Sequence, residues 1–445
     1  MEASSKNSPP KNTRGNHMVR ARGLTVLILA TVVAFACGSS TTTGGSKGDI
    51  WIASDLPVSG SDASSGLPAQ NGANYAVTSI GSIQGFTLHI KNYDDAVNGK
   101  HDATKGAQNI TDIISNKDIL GVVGPFNSGV AAAEIPVANR ASLALISPSN
   151  TNECLTQPLS YCQSVNKYDP ASLRPACSNT IPCPTGKNNY FRIAAPDTFQ
   201  GPAMADFAFD TLGVKVVAVW DDQEPFGLGV ANNFAKEFQK KGGTVVDRKG
   251  FDTSGTAAPD FHSWLASAKK DGATAIYAGA TSATFGCIAR AQEKGIFDAA
   301  STFYLGPDGI GDAQCLKDSG DQANDHMYAS QGAADATQNP DAAATIAKYK
   351  AACTQDTCNG AYTYASYDCA AILIDAISRA IQANGGNKPT REQVITAMAQ
   401  TQNFKGLTGV ISLNNFGDPT APILQIQQNK GGQWTFLKQF GVSGS

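Results

Sequence analysis

Short apolar runs alternate with amphipathic stretches along most of this chain, and that alternation is its strongest constraint. IWIASDL (50–56), TLHIKNYDD (87–95), ILGVVG (119–124) and ALISP (144–148) read as strands. AQNGANYAVTSI (69–80), ATKGAQNITDIIS (103–115) and VAAAEIPVANRA (130–141) read as the helices between them. Strand–helix–strand repetition means βαβ units and a parallel sheet, because parallel neighbours need a crossover long enough to hold a helix. The pattern stops over 152–189, a stretch rich in Cys, Pro, Asn and Ser. It restarts with strands at 214–222, 244–252, 275–280 and 302–309 and helices at 227–243, 260–272 and 283–295. Two α/β lobes in series follow from this. Helices near 341–352 and 362–383 and a β meander over 409–440 complete the chain.

The 445 residues suit two or three domains, and 42 % hydrophobic content is enough for real cores. A net charge of −3 gives no reason to expect a nucleic-acid partner. The first 48 residues differ from the rest. A basic segment, KNTRGNHMVRARG, precedes the thirteen-residue run LTVLILATVVAFA and then Cys37. That run is short for a bilayer span and has the form of a signal peptide over 1–36. AFAC resembles a bacterial lipobox, with Ala34 where Leu is usual, so Cys37 is the expected lipidation site and 37–48 a flexible tether. Secretion without an anchor is the alternative, and Met18 is an alternative start.

Ten cysteines fit an oxidising compartment. Cys353 with Cys358, and Cys287 with Cys315, are candidate pairs. Cys154, Cys162, Cys177 and Cys183 allow three connectivities. Cys369, in the apolar helix SYDCAAILIDAISRAI, is expected free and buried. No Cys-x2-Cys occurs and the five His are scattered, so neither a metal nor a cofactor is expected.

Two strands end in clusters of small polar residues: Asn127-Ser128-Gly129 and Ser149-Asn150-Thr151. Ligands of open parallel sheets bind beyond the carboxyl ends of strands. Ser128 is placed to cap the next helix, where free N–H groups favour an anion.

Nine stretches in order resemble the leucine/isoleucine/valine-binding family of periplasmic binding proteins, the solute receptors of ABC importers. They are LPVSG (56–60), YDDA (93–96), GVVGPFNSG (121–129), LISPSNTN (145–152), FRIAAPDTFQGPAMADF (191–207), AVWDDQEPFGLGVA (218–231), YAGATSATFGCIARAQ (277–292), YLGPDG (304–309) and YTYASYDCAAILIDAI (362–377). The resemblance spans about 49–440. It implies an α/β type I clamp: two Rossmann-like lobes with parallel sheets joined by three crossovers. The first lobe is placed at 49–193 plus 331–406 and the second at 194–330 plus 407–445, with 154–189 as a Cys-rich insertion.

The resemblance also implies a pocket. Ser128, Ser149, Asn150 and Thr151 match positions that hold an amino acid's carboxylate and part of its ammonium. Asp308, in GPDG, matches the acid that pairs with the ammonium. Phe226 and Tyr362 match aromatic walls. Thr281, with Ser282 beside it, stands where the family has a tyrosine, which implies a wider or more polar pocket. Asp94 and Asp95 are read as structural.

No Gly-x-Ser-x-Gly elbow, P-loop or His-Glu-x-x-His motif appears, so no enzyme activity is expected. His89, His101 and His262 have no evident nucleophile partner. The expected protein is an outward-facing, membrane-anchored monomeric lipoprotein that binds an amino acid and hands it to a permease. A receptor for a short amide, urea-like or small carboxylate solute is the alternative, as is a sensor acting through a protein partner.

Overall fold

The structure is a computed structural model that describes residues 46–162, 173 and 188–441. The expected leader, Cys37 and most of the tether lie outside these residues, as do Cys177, Cys183 and most of the Cys-rich insertion.

Two sheets organise the chain. The first holds β1 (Asp49–Leu56), β2 (Phe86–Asp94), β3 (Ile119–Val123), β4 (Ala144–Ser147) and β5 (Tyr190–Arg192). Their order is β2-β1-β3-β4-β5, all parallel, with Ser82–Ile83 antiparallel at the β2 edge. The second holds β6 (Val216–Asp221), β7 (Thr244–Gly250), β8 (Ala275–Gly279), β9 (Phe303–Gly306), β10 (Met327–Gln331), β11 (Ile423–Lys430) and β12 (Gln433–Gly441). Its order is β7-β6-β8-β9-β10-β11-β12, parallel as far as β10 and antiparallel beyond.

The helices are α1 (Ala63–Ile80), α2 (Ala103–Ser115), α3 (Ser128–Arg140), α4 (Asp197–Asp206), α5 (Pro225–Lys240), α6 (His262–Lys270), α7 (Ile288–Gln292), α8 (Ala313–Ser319), α9 (Ala343–Ala352), α10 (Thr363–Ala383) and α11 (Arg391–Met398). Alternate residues of a strand face opposite sides of a sheet. Ile50, Ile52 and Leu56 of β1 therefore pack under α1, α10 and α11. Ala53, between them, faces α2 and α3. The second sheet does the same: Ala218 and Trp220 face α6, while Val217 and Val219 face α4 and α5. Both sheets are thus covered on both faces, the doubly wound α/β arrangement that the alternation implied. Gly72 lets α1 and α10 touch, since a Cβ there would lie 1.9 Å from Thr363 O.

The chain passes between the sheets after Arg192, after Gln331, and between Leu413 and Ile423. The third passage lies beyond the expected boundary at 407, because Ile411 and Leu413 still pack in the first core. The expected meander is accordingly divided. Phe404–Gly406 pairs with Gly409–Ile411 as a hairpin beside the first sheet, while β11 and β12 close the second. The backbone N–H groups of Leu407 and Thr408 both donate to Asp368, which fixes that hairpin on α10.

Disulfides join Cys154 to Cys162, Cys287 to Cys315 and Cys353 to Cys358, and Cys369 is free and buried. Among the described residues no helix is long and apolar enough to cross a membrane.

Candidate functional site

The carboxyl ends of both sheets face one cleft. β3 is followed by Gly124, whose φ of 134° is open to glycine but strained for other residues. A Cβ there would also lie 2.3 Å from Asp55 O. Gly124 turns the chain into Pro125, Phe126 and Asn127. Asn127 is the N-cap of α3 and Ser128 its first helical residue, so Ser128 is not the cap that the sequence suggested. Asn127's side chain makes no capping bond, which leaves the first N–H groups of α3 to a ligand.

The turn after β4 is tied to this one. Ser147 Oγ donates to Pro125 O at 2.7 Å and accepts from the backbone of Asn150 at 2.9 Å. Ser149 Oγ and Asn150 Nδ2 both donate to Phe126 O, at 2.8 and 2.6 Å. Tyr190 donates to Asn150 Oδ1 at 2.8 Å. Ser128 Oγ accepts weakly from Asn152 N at 3.4 Å.

The second lobe faces these turns with Glu224, Phe226, Thr281, Asp308 and Gly309. Together with Phe126–Gly129 and Ser149 they line a cavity of about 30 Å³, room on the order of one water molecule. An amino acid must therefore enter with the lobes further apart. Two carboxylates and no Lys or Arg line the space.

Asp308 is the most telling side chain. Its Oδ2 accepts from Tyr362, on the other lobe, at 2.6 Å. Its Oδ1 is shut off from solvent and has no partner. Burial pushes its carboxyl up to about 6, with Tyr362 and Gln200 pulling the other way. The Tyr362 ring also meets Phe126 edge-on, 5.5 Å between centroids.

Of the nine expected site residues, Ser128, Ser149, Phe226, Thr281 and Asp308 line the cavity. The other four stand behind it. Asn150 ties the two turns together, and Tyr362 holds Asp308. Thr151 is buried, with its methyl against the backbone of Gly332. Ser282 donates to Asp312 at 2.7 Å, and Asp312 in turn accepts from Ser64 and Ser65 of α1 at 2.9 and 3.0 Å, so Ser282 supports a contact between lobes. Thr281 is turned toward Thr284, which donates to Asp222 at 2.7 Å.

Sequence reasoning missed Phe126, Glu224, Lys100 and His101. His101 Nδ1 lies 2.8 Å from Asp62 on its own lobe and Nε2 2.9 Å from Glu224 on the other. Burial alone would lower its pKa, but the two carboxylates outweigh it and hold the imidazole well above its usual value. Lys100 Nζ donates to Thr253 O and Gly255 O across the cleft at 2.9 and 2.7 Å. Asn152 Nδ2 donates to Pro225 O at 2.8 Å. Only Glu224 had a signal, its place beside Phe226 at a strand's carboxyl end. His262 is a surface residue paired with Asp260.

Two doubly wound lobes, three passages between them and a polar cavity at their facing edges define a clamp-type receptor for a small solute. A family profile described as "Periplasmic binding protein" matches residues 50–433. The chain belongs to the periplasmic binding protein family, whose members are extracytoplasmic solute-binding receptors. It is 24 % identical over 418 residues to the Leu/Ile/Val-binding protein homolog 1 of Brucella suis biovar 1, covering 92 % of this chain and 97 % of that one. Its fold matches the crystal structure of a leucine binding protein, LivK, from Thermotoga maritima, with a TM-score of 0.71 at 23 % identity over 88 % of this chain and 98 % of that one. It also matches a solute binding protein from R. palustris in complex with benzoate, with a TM-score of 0.67 at 19 % identity over 89 % of this chain and 98 % of that one.

Proposed function

We propose that the protein is the solute receptor of an ABC importer and that it closes on an amino acid between its lobes. The observation that carries this is the pairing of opposite electrostatic ends in one cavity. On one side stand the uncapped N-terminus of α3, Ser128 and Ser149, suited to a carboxylate. On the other stands Asp308 with an unpartnered oxygen, suited to an ammonium. Phe226 and Phe126 supply apolar walls. Solute docks on the first lobe. Contacts to Phe226, Thr281 and Asp308 form as the second lobe swings in, and that differential affinity drives closure. The permease reads the closed form, and no catalytic step belongs to this chain.

An amide or urea-like solute is the second reading. It is favoured by the short polar Thr281 where the family resemblance implies a tyrosine. A plain carboxylate such as the benzoate of the R. palustris relative suits the site less well, because Asp308 and Glu224 would face it. We further propose that residues 1–36 are a leader, that Cys37 carries a lipid holding the receptor to the outer face of the cell membrane, and that it works as a monomer.

A thermal-shift panel of amino acids, amides, polyamines and aromatic acids tests the reading. A ligand at a hundred times its Kd adds about 2.7 kcal/mol. Asp308→Asn is expected to weaken an amino acid more than about tenfold, or 1.4 kcal/mol. Unchanged leucine-class affinity in that variant sinks the ammonium-partner role.

A further inference from the structure

Three acids that the cleft does not use meet inside the first lobe. Asp55 is at the end of β1, Asp95 just past β2 and Glu134 on α3. All three are fully buried. One oxygen from each lies within 4.8 Å of the other two. Asn109 Nδ2 donates to Asp55 Oδ1 at 2.9 Å. The remaining oxygens, Asp55 Oδ2 and both of Asp95 and Glu134, have no hydrogen-bond donor from outside the cluster although they are sealed from solvent, and the Asp55 and Glu134 carboxyls lie within hydrogen-bond reach of each other. Among the described residues no Lys, Arg or His forms an ion pair with any of them. Unpaired ionised carboxylates in such a place cost many kcal/mol each, so something must neutralise them.

We propose that Asp55, Asp95 and Glu134 form a binding site for a hard divalent cation, with Ca²⁺ as its natural occupant. The donors are all carboxylate oxygens, with no thiolate or imidazole, which selects a hard ion over zinc or copper. Two oxygens on opposite sides of an ion held at about 2.4 Å are about 4.8 Å apart, and the three oxygens here lie within that limit of one another, so one ion can touch all three. Ca²⁺ accepts bidentate carboxylates at that distance, so three of them supply most of its shell. Mg²⁺ sits closer and keeps several waters, for which a sealed interior leaves little room. α2 passes close by: a Cβ on Gly106 would lie 2.7 Å from Glu134 Oε1. Asn109 orients the site by bridging Asp55 Oδ1 and the backbone oxygen of Asp94. An ion there joins the ends of β1, β2 and α3. The segment after β2 carries Lys100 and His101, and α3 begins at Ser128, so the ion stiffens the first-lobe side of the cleft. The three ligands lie about forty positions apart in sequence, which is why no motif announces them.

The test is calorimetric titration of the chelator-stripped protein with CaCl2 and, separately, MgCl2, with metal content read by mass spectrometry. Saturable uptake of one Ca²⁺ per chain is expected, with a higher melting temperature in Ca²⁺ than in Mg²⁺. Glu134→Gln should weaken Ca²⁺ at least tenfold while keeping the far-UV spectrum; Asp95→Asn serves if that variant does not fold. No saturable Ca²⁺ uptake by the wild type at millimolar concentrations overturns the site and leaves the three carboxyls neutralised by protons. Ca²⁺ uptake unchanged in both folded variants overturns the ligand assignment, and tighter Mg²⁺ overturns the choice of ion.

Discussion

At the scale of single residues, the binding turn depends on a side chain that never touches the cavity. Arg192 is fully buried at the end of β5. Its Nε bonds Asp418 at 2.7 Å, Nη1 bonds Asn152 O at 2.7 Å, and Nη2 bonds Thr156 Oγ1 at 2.8 Å. One planar fork thus joins the third passage between lobes to the turn that presents Ser149 and Asn150. Asp418 also accepts from Gln157 at 2.8 Å, but that amide cannot balance its charge. Arg192→Ala should cost about 3–5 kcal/mol, since it leaves the Asp418 carboxylate buried without its counter-charge. Arg192→Lys should keep only part of this, because a point charge cannot serve all the acceptors. Urea unfolding at an unchanged m-value measures both, and a loss below about 1 kcal/mol for the alanine variant would show that the fork is dispensable. The sequence marked Arg192 only as part of a recognisable stretch. Its partner is 226 positions away, and no local pattern reports a contact at that range.

At the scale of elements, legibility followed local propensity. The helix expected over 103–115 is α2, residue for residue, because Asp102 caps it and its apolar positions keep one period. α4, DTFQGPAMAD, was missed because Gly201 and Pro202 make it a poor helix on its own. Packing decides it: a Cβ on Gly201 would lie 2.7 Å from Phe234 N of α5. β10 was missed because it ends in Ser330 and Gln331, both buried; Ser330 is satisfied by Gln200 at 3.1 Å. The helix expected over 283–295 shrinks to α7 because Phe285 takes a φ of 67°. The same limit applies to the site. Strand ends were readable, but the short hairpin Ala96–Val97 with Lys100–His101, which reaches across to the second lobe, was not. That hairpin is expected to act as a latch. Glu224 is partly exposed, so the His101–Glu224 contact contributes about 1 kcal/mol, or roughly fivefold. His101→Gln should raise the open fraction of the solute-free protein and speed solute release by about that factor. Stopped-flow release rates check it, and rates equal to wild type would remove the latch role.

At the scale of the whole molecule, the closed cleft is a proton acceptor. In it Asp308 is pushed up to about 6, chiefly by burial. In an open cleft its carboxyl returns toward the ordinary value near ~3.9. A pKa higher in the closed form means that closing takes up a proton. The resulting stabilisation of the closed form is complete below about pH 4 and gone above about pH 6. His101 acts in the same direction at higher pH. Asp62, on the same lobe, stays beside it in the open form, and closing adds Glu224, which favours the charged imidazole against the burial that opposes it. The solute-free protein should therefore close as pH falls from 7 to 4, by up to about a hundredfold from Asp308 alone. An amino acid needs Asp308 ionised, so its affinity should fall over the interval in which empty closure rises. Small-angle scattering of the solute-free protein follows the first effect and calorimetry with an amino acid the second, with the far-UV spectrum excluding unfolding. Asp308→Asn should flatten both profiles between pH 6 and 4, and Tyr362→Phe should move the affinity profile to higher pH, because the lost bond no longer pulls the carboxyl down, while lowering the closed fraction at pH 7. A wild-type radius of gyration constant from pH 7 to 4 would mean that the lobes meet without Asp308, and the Tyr362 bond would then be a consequence of closure rather than one of its causes.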